Sequence, residues 1–251
     1  MTGPRASIVL PAYNEHESIV SALLAIRDAV MMPHEILVVV DTETDTTVAA
    51  AQATIEGMPN ARILVQDYGR GPANAIRYGI DHALAPCVVV TMADGSDDVR
   101  VIDELVRLVE SGFVVASASR YMRGGAQHGG PMLKRVMSEA AGRSLYLLAR
   151  VGTRDVTNAF KAYDTAFVRE VGIHSRSGFE VALELVSKAR RTRRPVAEVP
   201  TVWLARKVGT SNFKVVAWIP NYLYWYRFAF GPRLDPRTVQ ACMQPELEGA
   251  R

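Results

Sequence analysis

The 251-residue chain has two cysteines, three tryptophans and no run of 18 uninterrupted apolar residues. Cys87 lies in an apolar stretch and Cys242 near the end, a spacing that suits neither a disulfide framework nor a metal site, so a reducing, cytoplasmic setting is expected. No segment is long enough to span a bilayer by itself, and "MTGPRASIVLPAYNE" has too short an apolar run for a secretory signal. There is no Walker sequence, no HExxH zinc motif and no GxSxG elbow. His16, His34, His82, His128 and His174 show no ligand spacing. Charge of one sign is also scarce: 29 Lys and Arg face 26 Asp and Glu, a net +3 spread too thinly for the basic stripe of a nucleic-acid binder. No nucleic-acid partner is expected; a small anionic substrate or an anionic membrane surface fits at least as well.

What the chain does have is 49% apolar residues, enough for one large core. "SIVL" (7–10), "EILVVV" (35–40), "ARILV" (61–65), "CVVVTM" (87–92) and "FVVASA" (113–118) read as strands. Between them, "HESIVSALLAIRDAV", "TTVAAAQATI", "PANAIRYGIDHAL" and "DDVRVIDELVRLVESG" space apolar residues by three and four, as helices covering a sheet do. The pattern predicts a single α/β domain over residues 1–232, with a mostly parallel, Rossmann-like sheet flanked by helices. A loose tail is expected over 233–251, after Gly231-Pro232, and a mobile loop at "GGAQHGG" (124–130).

Every polar cluster of the first half follows a strand: "PAYNE" (11–15), "DTETD" (41–45), "DYGRG" (67–71), "ADGSDD" (93–98) and "SRY" (119–121). In an open parallel sheet those ends line one ligand crevice. Acids in a crevice whose helix N-termini and arginines favour anions make sense if a divalent cation, Mg²⁺ or Mn²⁺, bridges carboxylate and phosphate oxygens. Asp94 is the first candidate ligand and Asp97 the second, while Asp98 is placed as N-cap of the helix starting near Val99. "GRGPAN" (69–74) begins like a dinucleotide fingerprint, but Asn74 replaces its third glycine and it follows the third strand rather than the first.

"SIVLPAYNEHESI", "ILVVVDTETDTT", "GRGPANAIRYG", "VVVTMADGSDD", "SASRYMRGG", "DVTNAFKAYD", "GFEVALELVSKA" and "EVPTVWLARKVGTSNF" occur in the order seen in family 2 glycosyltransferases. Over residues 6–228 the chain resembles especially their polyprenyl-phosphate, dolichol-phosphate mannosyltransferase-like branch. The resemblance implies a GT-A fold, a GDP- or UDP-sugar donor, a divalent metal and inversion at the anomeric carbon. It also implies that Pro11, Ala12, Tyr13 and Glu15 hold the nucleotide, that Asp41 binds base or ribose, and that Arg70 lies near base and diphosphate. Asp94 matches the last acid of an Asp-x-Asp motif, with Ser96 or Asp97 completing the metal shell; Arg120, Asp155, Arg206, Ser211 and Lys214 match positions at the reaction centre or gripping phosphate. Two residues depart from the pattern: Met92 stands at the first Asp of Asp-x-Asp, and Thr42 replaces the second Asp of the usual "VDDGS".

Departure of a nucleoside diphosphate builds negative charge, which a metal and Arg206 are placed to offset. A phosphate acceptor, with second pKa about 6, needs no strong protein base. A hydroxyl of a small soluble acceptor does need one, and Asp155 is the candidate. Two other readings stay open: a metal-dependent sugar nucleotidyltransferase, against which stands the lack of a GxGTRL-type loop after the first strand, and a non-catalytic nucleotide-sugar-binding module. "VVAWIPNYLYWYRFAFGPR" (215–233) predicts an amphipathic aromatic helix over about 215–230, with Trp218, Tyr222, Trp225, Tyr226 and Ala229 at helical spacing. It serves either as core or as an interfacial contact, and with the basic "KARRTRRP" (188–195) it fits an enzyme peripheral to the cytoplasmic face of a membrane.

Overall fold

The structure, a computed structural model, describes residues 3–176, 178–205, 215–235 and 239, with only the helical backbone given for 215–218. The amino half alternates strand and helix: β1 (Ala6–Pro11), α1 (Ile19–Ala29), β2 (His34–Val40), α2 (Thr46–Glu56), β3 (Ala61–Val65), α3 (Pro72–Asp81), β4 (Cys87–Val90), α4 (Ile102–Glu110) and β5 (Val115–Ser119). After it come β6 (Ala126–His128), α5 (Met132–Ser144) running into a π-turn at Leu145–Ala149, β7 (Lys161–Asp164), α6 (Thr165–Val171) and α7 (Val181–Arg191). The chain continues through β8 (Val196–Pro200) and β9 (Val202–Leu204) to α8 (Val215–Phe228).

Seven strands form one sheet in the order β3-β2-β1-β4-β7-β5-β8, and β6 pairs with β9 in a small second sheet. β1 pairs in parallel with β2 and β4, whereas β7 runs antiparallel to both its neighbours, β4 and β5. β1, β4 and β5 are buried along their whole length because helices cover both faces, which is why they read as apolar runs rather than alternating ones. Alternation instead divides one core from the other. Val9, Leu37 and Val39 face the layer that includes Ile76 of α3 and Leu185 of α7. Ile8, Leu10, Ile36 and Val38 face the layer that includes Leu23 of α1 and Leu105 of α4.

One side of the aromatic helix packs as core, while Leu223 and Tyr224 are exposed and the Trp218 side chain lies outside the described residues. Trp225 of α8 is 3% exposed, its backbone oxygen accepts from Ser187 Oγ at 3.2 Å, and Lys188 Nζ lies 5.3 Å from its ring centre. Tyr226 shares a 2.9 Å hydrogen bond with Ser144 of α5. The basic stretch is divided: its first residues are used internally, while Arg193 and Arg194 are exposed. Lys188 is fully buried beside Glu184, Arg190 donates to Ala149 O at 3.0 Å, and Arg191 to Pro232 O at 2.8 Å. Burial opposes the charge on Glu184, yet Lys188 and the amides of His174 and Ser175 hold its pKa at about 2. Past Pro232 the chain stays against the domain: Leu234 N donates to Arg191 O at 2.9 Å and Val239 is buried. The rest of the expected tail, residues 236–238 and 240–251, lies outside the described residues. Among those described, no helix is long and apolar enough to cross a membrane.

Candidate functional site

The polar clusters meet along the carboxyl edge of β1, β2, β4 and β5. At the end of β1, Pro11 and Ala12 are buried, Ala12 N donating to Val39 O at 2.9 Å, and Tyr13 is exposed. Asn14 then turns with φ 55°, its amide 3.1 Å from both oxygens of Asp45, and Glu15 N donates to Thr47 Oγ1 at 2.9 Å. Asp45 also caps α2 through Thr47 N, so this loop is strapped to a helix start. Asp41, after β2, accepts from Gln66 Nε2 at 2.7 Å and from Gly71 N at 3.2 Å. Its carboxylate thereby ties the ends of β2 and β3 to the start of α3, beside the exposed Arg70.

The acid loop after β4 turns at Gly95, whose φ of 69° favours glycine. Asp94 Oδ1 accepts from Ser96 N at 3.0 Å, and Ser96 is buried. Asp97 reaches back: its Oδ2 accepts from Thr91 Oγ1 and from Met92 N, each at 3.0 Å. An acid is thus present beside the backbone of Met92, where the sequence pattern lacks one. The other oxygen, Oδ1, is buried without a hydrogen-bond partner among the described residues. Burial pushes the Asp97 carboxyl up to about 6 against the pull of the Met92 amide, and the Asp94 charge pushes the same way. Asp98 caps the turn at Val99 by accepting from Arg100 N at 3.2 Å, as its position predicts.

Across the sheet, after β5, Arg120 is clamped by Asp155: Nε to Oδ2 at 2.7 Å, Nη2 to Oδ1 at 2.9 Å, and the Arg120 amide to Oδ2 at 3.0 Å. Asn158 N gives the carboxylate a further donor at 3.2 Å. Asp155 is fully buried, and although burial alone would raise its pKa, Arg120 and the Lys161 charge hold it below the usual carboxylate range. Each Asp155 oxygen thus accepts two hydrogen bonds, an arrangement that holds the carboxylate ionised and fixes the orientation of Arg120. Asp155 pairs with Arg120 and not with its neighbour Arg154, which bonds Glu198. Arg120 Nη2 touches Ser138 Oγ and Thr157 Oγ1, both at 3.3 Å.

Sequence reasoning missed Ser138, Gln66 and Lys161. Lys161 is fully buried under the site, donates to the backbone oxygens of Asp155 and Asn158, and is pulled by burial down to about 8 against the Asp155 charge. A lysine inside a strand was the available signal. Arg206, Ser211 and Lys214 lie outside the described residues. In sequence they follow β9, whose Leu204 N donates to Ser96 O of the acid loop at 2.9 Å.

No three His, Cys, Asp or Glu side chains converge on a metal position among the described residues. Two neighbouring carboxylates, one with an unsatisfied buried oxygen, still fit a divalent ion that takes its remaining ligands from water and a diphosphate.

A mostly parallel sheet whose carboxyl edge carries a nucleotide-type crevice, an acid loop and a clamped arginine is a GT-A architecture. Residues 7–172 match the sequence model of glycosyl transferase family 2, and the chain belongs to that family. The dolichol-phosphate mannosyltransferase of Pyrococcus furiosus is 28% identical over 217 residues, which cover 84% of this chain and 59% of that protein. The polyprenol monophosphomannose synthase of Mycolicibacterium smegmatis is 28% identical over 230 residues, 85% of this chain and 86% of that one. The chain therefore spans about three-fifths of the Pyrococcus relative and most of the mycobacterial one. Among solved structures, glucosyl-3-phosphoglycerate synthase of Mycobacterium tuberculosis, in complex with Mn²⁺, UDP-glucose and phosphoglyceric acid, superposes with a TM-score of 0.69 at 17% identity, over 93% of this chain and 82% of that one. A mannosyltransferase of Pyrobaculum calidifontis in complex with GDP-Man and Mn²⁺ gives 0.62 at 17% identity, over 96% and 68%.

Proposed function

We propose that this chain is an inverting glycosyltransferase that moves a sugar from a GDP- or UDP-sugar to a polyprenyl phosphate. The observation that carries the reading is the pairing of an acid loop on one lip of the crevice with a clamped arginine, Arg120, on the other. The names of the two relatives above point to the same acceptor class. Pro11, Ala12, Tyr13, Glu15, Asp41 and Arg70 form the nucleotide side. Asp94, with Asp97 and Ser96, would hold Mg²⁺ or Mn²⁺; the ion would supply positive charge to the departing diphosphate. Arg206, Ser211 and Lys214 are assigned to the same phosphates from the resemblance of "RKVGTSNF" to the family's phosphate-gripping block. Arg120, held rigid by Asp155, presents its guanidinium to the acceptor phosphate, which brings its own negative charge to the attack. A hydroxyl acceptor would need a base, and Asp155 has no oxygen left for that task. The reading puts the protein in the cytoplasm, peripheral to the inner face of the membrane.

A panel of GDP- and UDP-sugars with a short-chain polyprenyl phosphate and Mn²⁺ tests this, read by released nucleoside diphosphate and lipid-linked sugar. One donor is expected to turn over only with metal, and Asp94→Asn to lose about 100-fold or more, on the order of other transition-state charge contacts, with an unchanged circular dichroism spectrum. Near wild-type turnover of Asp94→Asn at saturating Mn²⁺ would remove Asp94 as principal ligand. Absence of any lipid-linked sugar would remove the acceptor.

A further inference from the structure

A helix on the surface of a water-soluble domain turns its apolar stripe to the core and its polar side to solvent. α5 does the reverse. At 100° per residue, Met132, Leu133, Val136 and Met137 share one arc, and they are 80%, 72%, 55% and 45% exposed. Ser138 and Gly142 lie on the opposite arc and face the domain. Ser138 Oγ accepts from Arg120 Nη2 at 3.3 Å and from Tyr121 OH at 3.0 Å. Gly142 sits so close that a Cβ would fall 2.0 Å from the oxygen of Arg154. The helix is thus pressed onto the protein by its small and polar side. The following π-turn adds Leu147 and Leu148, 70% and 72% exposed.

Charge decides what such a face meets. Between residues 132 and 150 the chain has Lys134, Arg135, Arg143 and Arg150 against a single acid, Glu139, and Glu139 is tied to Arg143 at 2.7 Å. A large apolar patch with a basic rim suits a bilayer rich in anionic headgroups, where apolar residues enter the acyl boundary and Lys and Arg stay with the phosphates.

We propose that the outward face of α5 and its π-turn (Met132, Leu133, Val136, Met137, Leu147 and Leu148) is a docking surface for an anionic lipid bilayer. It rests on the polyprenyl-phosphate reading and deepens it. The inner side of the same helix touches Arg120, so docking sets the candidate acceptor site one helix thickness from the headgroups, where a lipid-linked phosphate is found. The lipid contact moves from α8, whose Trp225 is buried, to a helix with no aromatic residue.

Flotation of the full chain with vesicles of phosphatidylcholine containing 30% phosphatidylglycerol, against phosphatidylcholine alone, tests the surface. Wild type is expected to float with the anionic vesicles and to be released as salt rises. The triple variant Leu133→Glu, Met137→Glu, Leu148→Glu is expected to partition at least tenfold less, while its thermal midpoint and its transfer to a short-chain, water-soluble polyprenyl phosphate without vesicles stay unchanged. Unaltered flotation of that variant, or no flotation of wild type, overturns the proposal. A wild-type dimer in light scattering that the variant converts to monomer overturns it as well, giving the face to a second copy of the chain. Transfer to the soluble acceptor by a chain that never floats sinks the docking surface and leaves the function standing. Salt-sensitive flotation lost in the variant, with no transfer from any donor, sinks the function and leaves the surface.

Discussion

Asp97 brings its carboxylate to the amide of Met92, the position at which an Asp-x-Asp pattern would carry its first acid. The contact is invisible in the sequence, because it depends on a tight turn at Gly95 folding five residues back on themselves. The strand-end placement of Asp41, Asp94 and Arg120 was legible, since any parallel α/β sheet gathers those positions. The clamp of Asp155 on Arg120 was not, because a carboxylate that holds an arginine and one that accepts a proton look alike in one dimension. Lys161 behind it offers a prediction on stability. Its folded pKa of about 8 is below the 10.5 of an ordinary lysine, so between those values the unfolded chain binds more protons and stability rises with pH. Lys161→Met should lose that rise, and at pH 7 should be destabilised by roughly 1–3 kcal/mol, because the oxygens of Asp155 and Asn158 lose their buried donor. Urea midpoints of both proteins from pH 7 to 10 measure this; parallel profiles would show that burial does not lower the Lys161 pKa in the fold.

Among the elements, the five strands and four helices of the amino half follow from their periodicity. β7 did not, since "KAYD" is short and starts with a charge, which the fold buries against the backbone oxygens of Asp155 and Asn158. α5 escaped for a different reason: an amphipathic stripe tells which side is apolar but not which side meets the protein. α8 shows the converse, with an aromatic stripe that fills the core. Trp225→Ala is therefore expected to destabilise the protein by about 3–5 kcal/mol, as large-to-small core changes do, while leaving vesicle flotation of the folded fraction intact. Thermal unfolding followed by circular dichroism reads the first effect, and flotation below the midpoint the second. Loss of vesicle binding at unchanged stability would return the lipid contact to α8.

At the scale of the molecule, the two core layers share one sheet, and α8, Ala229 and Val239 close the layer built on α3 and α7. Unfolding in urea is expected to be a single transition, with tryptophan fluorescence and far-ultraviolet circular dichroism superimposable. Separated midpoints would mean that the C-terminal helix melts from an otherwise intact domain. β7 lies between strands made long before it, pairing on one side with residues 87–90 and on the other with 115–117. A ribosome releases the chain from its amino end, so β3, β2, β1 and β4 can pair while the central slot is still vacant. Until residue 164 has emerged, β4 presents an open edge to that slot and β5, whose other partner β8 is made later still, pairs with nothing, so the acid loop and Arg120 share no sheet. Synthesis thus makes the two lips of the crevice in sequence, and a late strand joins them.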